Sequence, residues 1–97
     1  MPRAPKLTDA EIETHLAQTP GWVLDGGEIT RTFTLKDFTA ALVFVGAVGH
    51  LAEAAGHHPD ITINYNRVRL ALVTHDSGGL TAKDFALAGQ INALPLP

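Results

Sequence analysis

The chain contains no cysteine, so neither a disulfide framework nor a thiolate metal site is available, and stability must come from packing or self-association. A reducing compartment suits such a chain, and a cytoplasmic location is expected. Charge is sparse: Asp, Glu, Lys and Arg make up 18% of 97 residues, the net charge is −3, and no basic run occurs. Neutralising phosphates requires clustered Lys and Arg, so no direct nucleic-acid partner is expected. Long apolar runs are missing too. The longest, Ala40 to Gly49, is about half of what a membrane span needs. No apolar stretch follows Arg3 and Lys6, so no secretory signal is read, and a soluble protein with no membrane association is expected.

What is present is ordinary for a folded protein, with 45% hydrophobic residues. A chain this short buries only about two thirds of its unfolded surface, which sets the ceiling at a single domain over 1–97, with 1–6 and 95–97 frayed.

Thr8 and Glu11 form a capping-box pattern, predicting a first helix to about Gln18, which Pro20-Gly21 ends. Trp22 to Asp25 and Glu28 to Thr34 flank Gly26-Gly27, a pair suited to a tight hairpin turn that sets Leu24 opposite Ile29. From Asp37 to about Ala55 a single stripe of polar or small residues, Thr39, Gly46, His50 and Glu53, interrupts an otherwise apolar sequence, which predicts a long helix. A four-stranded sheet cannot cover all of that helix, so its second face is expected to meet another copy in a homodimer or homotetramer.

Ile61 to Tyr65 and Val68 to Leu72 both alternate, and Asn66-Arg67 between them reads as the turn of a second hairpin. That turn makes paired numbers sum to 133, so Ile61 faces Leu72, Ile63 faces Leu70 and Tyr65 faces Val68. After Gly78-Gly79, Thr81 and Asp84 form another capping pair before a last helix with the apolar stripe Phe85, Leu87, Ala88, Ile91 and Leu94. The expected fold class is α+β, a four-stranded antiparallel sheet of two hairpins with helices packed on one face, in the order α-β-β-α-β-β-α.

The histidines carry the chemistry. Extending the second hairpin's register past Pro59 sets His58 opposite His75, while His57 points the other way, toward the helix end that carries Glu53. A polar loop is the plain alternative for His57-His58. Zinc fits poorly, because adjacent residues on an extended segment diverge and no cysteine assists. Ser77 lies near His75 but outside any nucleophile-elbow pattern. Glu53 reads equally as an orienting carboxylate or as part of the polar stripe, and Asp84 equally as a ligand contact or a cap. Arg67 and Arg69 read as a solvated strand face, and Trp22 as core.

Taken together, Ala52-Glu53-Ala54-Ala55-Gly56-His57-His58-Pro59-Asp60, Tyr65-Asn66-Arg67-Val68, Leu72-Val73-Thr74-His75-Asp76 and Gly79 to Asp84 resemble the pterin-4a-carbinolamine dehydratases. The resemblance also takes in Gly21-Trp22 and Ile29 to Phe38, covering roughly residues 7 to 94. It implies dehydration of 4a-hydroxytetrahydropterin, the small-molecule substrate, to the quinonoid dihydropterin, without metal or cofactor. It assigns catalysis to His57, His58 and His75, pterin contacts to Pro59, Thr74, Asp76 and Ser77, and supporting roles to Glu53 and Asp84. Where some members carry an aromatic residue soon after His-His-Pro, this chain has Ile61. Relatives also serve as non-enzymatic assembly or dimerisation cofactors, which is the alternative, and a pterin-binding module without turnover is a third reading. Imidazole, with an ordinary pKa of about 6.5, can both deliver and remove protons near neutral pH.

Overall fold

The structure, a computed structural model, describes residues 3–97. Helix α1 spans Asp9–Ala17 and opens on the expected capping box, with Thr8 Oγ1 accepting from Glu11 N and Glu11 Oε1 accepting from Thr8 N. Hydrogen bonding to Thr8, its backbone N–H first and its side chain second, holds the Glu11 carboxyl below its ordinary pKa of 4.5. Strands β1 (Val23–Asp25) and β2 (Glu28–Thr34) pair antiparallel around Gly26-Gly27, both at positive φ, and Leu24 meets Ile29 as the sequence predicts. Only glycine enters that conformation without strain.

Helix α2 runs Phe38–Ala55, capped by Asp37 Oδ1 accepting from Ala40 N at 2.8 Å. Strands β3 (Asp60–Asn64) and β4 (Arg67–Leu72) follow, then a single 3-10 turn, η1 (His75–Ser77), and helix α3 (Ala82–Asn92). The sheet order is β1-β2-β4-β3, so the two hairpins join through the central pair, where Ile29 meets Leu72 and Phe33 meets Val68.

The core lies between the sheet and the helices. Ile29, Phe33, Val68, Leu70 and Leu72 of the sheet pack with Ala41, Phe44, Val48 and Ala52 of α2 and with Phe85, Leu87, Ala88 and Ile91 of α3. Each of these residues sits on its own element's apolar period, two along a strand and three or four along a helix. Trp22 is core, and its indole N–H donates to Asn92 Oδ1, tying the first hairpin to the end of α3. On the opposite sheet face Arg67 and Arg69 are exposed, and Arg69 pairs with Asp25.

The second hairpin differs from expectation by two residues. Ile61 meets Leu70 and Ile63 meets Val68, so paired numbers sum to 131, and the turn is Tyr65-Asn66 rather than Asn66-Arg67. A shift of two keeps every side chain on its face, so the apolar alternation could not choose between the registers. Asn66 chooses: its carbonyl accepts from Leu35 N and its Nδ2 donates to Leu35 O, which pins it inside the turn beyond the end of β2. Tyr65 consequently leaves the strand for φ 51, in the left-handed region.

Residues 4–7 lie against the segment that follows β4. Ser77 Oγ donates to Ala4 O, Leu7 N donates to Leu80 O, and the Lys6 side chain lies where a Cβ on Gly79 would stand.

Candidate active site

The end of α2 delivers His57. Gly56 adopts φ 61, its N–H reaches Glu53 O, and the His57 N–H reaches Ala52 O. This is a Schellman closure, which satisfies the last helical carbonyls and fixes the direction in which the chain leaves. His57 therefore starts from a rigid helix end rather than from a free loop. Its side chain is 12% exposed, and Nε2 lies 2.5 Å from Asp84 Oδ1.

Asp84 comes from the first turn of α3 and is completely buried. Its other oxygen, Oδ2, accepts from Thr81 N at 2.9 Å and from Thr74 Oγ1 at 2.9 Å. The Thr74 and Thr81 hydroxyl oxygens are 2.8 Å apart. A carboxylate removed from water needs such partners, because its desolvation is otherwise uncompensated. Among the described residues no buried side-chain polar atom lacks a partner.

His58 turns outward, its Nε2 lying 2.5 Å from Glu53 Oε1, with the two side chains 63% and 79% exposed. His57 and His58 thus diverge, as adjacency predicts, but it is His58 rather than His57 that takes Glu53, and His57 faces Asp84 instead. The expected cross-strand pairing of His58 with His75 is absent, because the 131 register carries the chain past it and His75 sits in η1 beyond the end of β4. That turn is closed by the Thr74–Gly79 bridge and by Gly78, at φ 75, whose N–H reaches His75 O.

The three histidines still meet. A cavity of about 290 Å³ is lined by His57, His58 and His75 together with Gly56, Val73, Thr74, Asp76 and Lys83. A larger cavity of about 660 Å³ shares Val73 and His75 with it and is lined further by Leu7, Ile12, Leu24 and Leu80 and by Lys6, Asp9 and Glu28. Size favours the larger cavity. Chemistry favours the smaller, which alone holds all three imidazoles with a buried carboxylate behind one of them.

Of the residues assigned to pterin contact from the sequence, Thr74 and Asp76 line the smaller cavity, whereas Pro59 and Ser77 do not. The Ser77 hydroxyl is committed to Ala4 O at 2.5 Å. Thr81 and Lys83 join the site without a functional signal of their own in the sequence. Thr81 is legible there only as a cap, and what would raise it is that its capping partner, Asp84, also serves a histidine. Lys83 carries no such signal.

Comparisons with known proteins bear on the family and the fold. The family model described as Pterin 4 alpha carbinolamine dehydratase matches residues 5–94. A Chloroflexus aurantiacus protein, provisionally named pterin-4-alpha-carbinolamine dehydratase, is 63% identical over 90 residues, covering 93% of this chain and 97% of that protein. A similarly named protein of Acidobacterium capsulatum is 57% identical, covering 92% and 97%. Among solved structures, a transcriptional coactivator/pterin dehydratase from Brucella melitensis superposes with a TM-score of 0.86 at 39% identity, over 91% of this chain and 96% of that one. A pterin dehydratase-like protein described as a RuBisCO assembly factor in the alpha-carboxysome shares the fold, at a TM-score of 0.61 and 20% identity, over 74% of this chain and 83% of that one. With sequence match, fold and clustered histidines in accord, this chain belongs to the pterin-4a-carbinolamine dehydratase family.

Proposed function

We propose that this protein is a hydro-lyase that removes water from 4a-hydroxytetrahydropterin by histidine acid/base catalysis. The observation that carries the reading is the convergence of His57, His58 and His75 on one small cavity, with Asp84 buried behind His57. In the reaction the C4a–O bond breaks as a proton reaches the leaving hydroxyl. N5 gives up its proton, and the C4a=N5 double bond forms. Both transfers need groups that exchange protons near neutral pH, and imidazole is the side chain suited to that. His57 is the principal acid/base group, being the histidine held both by a helix end and by a buried carboxylate. His58 and His75 flank the ring and share proton transfer, and Asp76 lies within reach of its polar edge.

The reading includes self-association as a homodimer or homotetramer. Phe38, Leu42 and Val43 of α2 are each about half exposed, and a second copy of the same helix would cover them. By length and composition alone α2 would also pass for a membrane span, but Ala40, Ala41, Phe44, Val48 and Ala52 pack one side of it into the core.

A non-enzymatic assembly role is the second reading, favoured by the assembly factor that shares this fold. Rapid mixing with freshly generated 4a-hydroxytetrahydropterin, followed by absorbance of the quinonoid product, separates the two. Formation faster than the spontaneous rate supports the dehydratase, and no acceleration leaves the assembly role.

A further inference from the structure

Behind His57 the hydrogen bonds run in one direction only. A carboxylate is an acceptor at both oxygens, and a threonine hydroxyl has one hydrogen to give. Thr74 Oγ1 lies 2.9 Å from Asp84 Oδ2 and spends its hydrogen there. The 2.8 Å contact between the two threonines must then be donated by Thr81. Thr81 Oγ1, having given its hydrogen to Thr74, accepts in turn from Lys83 N at 3.2 Å. The order is therefore Lys83 N–H to Thr81, Thr81 O–H to Thr74, Thr74 O–H to Asp84. Thr81 N also donates to Oδ2, which leaves Oδ1 as the oxygen turned to His57.

We infer that Thr74 and Thr81 are positioning residues that orient the Asp84 carboxylate, and through it hold His57 as the tautomer with hydrogen on Nε2 and the lone pair on Nδ1. The inference rests on the acid/base reading of His57. An imidazole whose Nε2 is committed to a buried carboxylate can exchange protons with a ligand only through its other nitrogen. Among the described residues no hydrogen bond is made to His57 Nδ1, and the ring lines the cavity. Nδ1 is thus the atom that meets substrate: it accepts a proton when His57 is neutral and gives one back when the ring is charged, while Nε2–H stays on Asp84. Thr74, although it borders the cavity, is only 8% exposed, and its hydroxyl is engaged with Asp84 and Thr81. Its contribution is to the geometry of His57 rather than to holding the pterin.

The two roles separate experimentally. If Thr74 held the pterin, Thr74→Val would raise KM, whereas removal of a positioning bond lowers kcat with KM unchanged. The expected result for Thr74→Val is a fall in kcat of about tenfold or more, with Thr74→Ser, which keeps the hydroxyl, restoring it. The independent readout is the tautomer, from long-range proton–nitrogen correlation spectra of the full chain labelled with nitrogen-15 histidine, the His57 signals being identified by their loss in His57→Gln. Wild type and Thr74→Ser should carry hydrogen on Nε2, and Thr74→Val should show a mixture. Hydrogen on Nδ1 in the wild type would overturn the proposal. So would a Thr74→Val protein with wild-type kcat and tautomer, or one raised only in KM. Should Thr74→Val not fold, the wild-type and Thr74→Ser spectra decide. A wild type without dehydratase activity would sink the acid/base reading instead, and the spectra would still report on the hydrogen-bond chain.

Discussion

His57 and His58 are neighbours in sequence with similar rings, yet their surroundings give them different weights. The His57–Asp84 pair is almost out of water, and Asp84 is shared with two further donors, while the His58–Glu53 pair stands in solvent. Exposed pairs contribute little, because water and salt screen them and two long side chains must be ordered to form them. Glu53→Ala should therefore change unfolding free energy by less than about 0.5 kcal/mol. Asp84→Ala leaves the Thr74 hydroxyl, the Thr81 N–H and His57 short of a partner and should cost roughly 2 to 4 kcal/mol. Urea denaturation of both variants checks the contrast, and equal losses would mean that Asp84 is less enclosed than the structure has it. The sequence puts both carboxylates near the histidines. It cannot say which serves which, because that depends on the direction in which the chain leaves Gly56.

At the scale of elements, helix starts and the first hairpin are legible in the sequence because each is a local device: Thr8 with Glu11, Thr81 with Asp84, and the Gly26-Gly27 turn. The second hairpin lies two residues from its expected register because that register is set by a long-range partner. Asn66 is held by Leu35, at the end of the strand that β4 pairs with, and no rule of turn composition includes that contact. The difference carries straight to the site, since the expected His58–His75 pairing is an extrapolation of the register. Tyr65 tests the corrected turn. At φ 51 and largely exposed, it bears a left-handed conformation that costs a side chain about 1 kcal/mol and costs glycine nothing. Tyr65→Gly should be neutral or stabilising in thermal unfolding. In the register expected from turn composition Tyr65 would be a strand residue against Val68, and the same change would destabilise.

For the whole molecule, the sequence indicates a helix too apolar for one sheet to cover, and α2 does leave Phe38, Leu42 and Val43 in solvent. In the proposed self-association a second copy covers them. The proposed self-association predicts that Val43→Glu, a surface change within one copy, shifts sedimentation to the monomer with little effect on monomer folding. A wild type that already sediments as a monomer would remove that part of the account. The fold otherwise explains why distant segments meet at one cavity. The closure of α2, the turn after β4 and the first turn of α3 all lie at one end of the sheet, so His57, His75 and Asp84 converge although 27 residues separate the first from the last.

The central claim is that this convergence dehydrates a reduced pterin, with His57 as the principal group. The most direct test is the rate of quinonoid product formation from freshly generated 4a-hydroxytetrahydropterin, measured for the wild-type protein and for His57→Ala. Acceleration by the wild type, and a loss of about a hundredfold or more in the variant, is the predicted result. No acceleration over the spontaneous rate, or a His57→Ala protein as fast as the wild type, would contradict it.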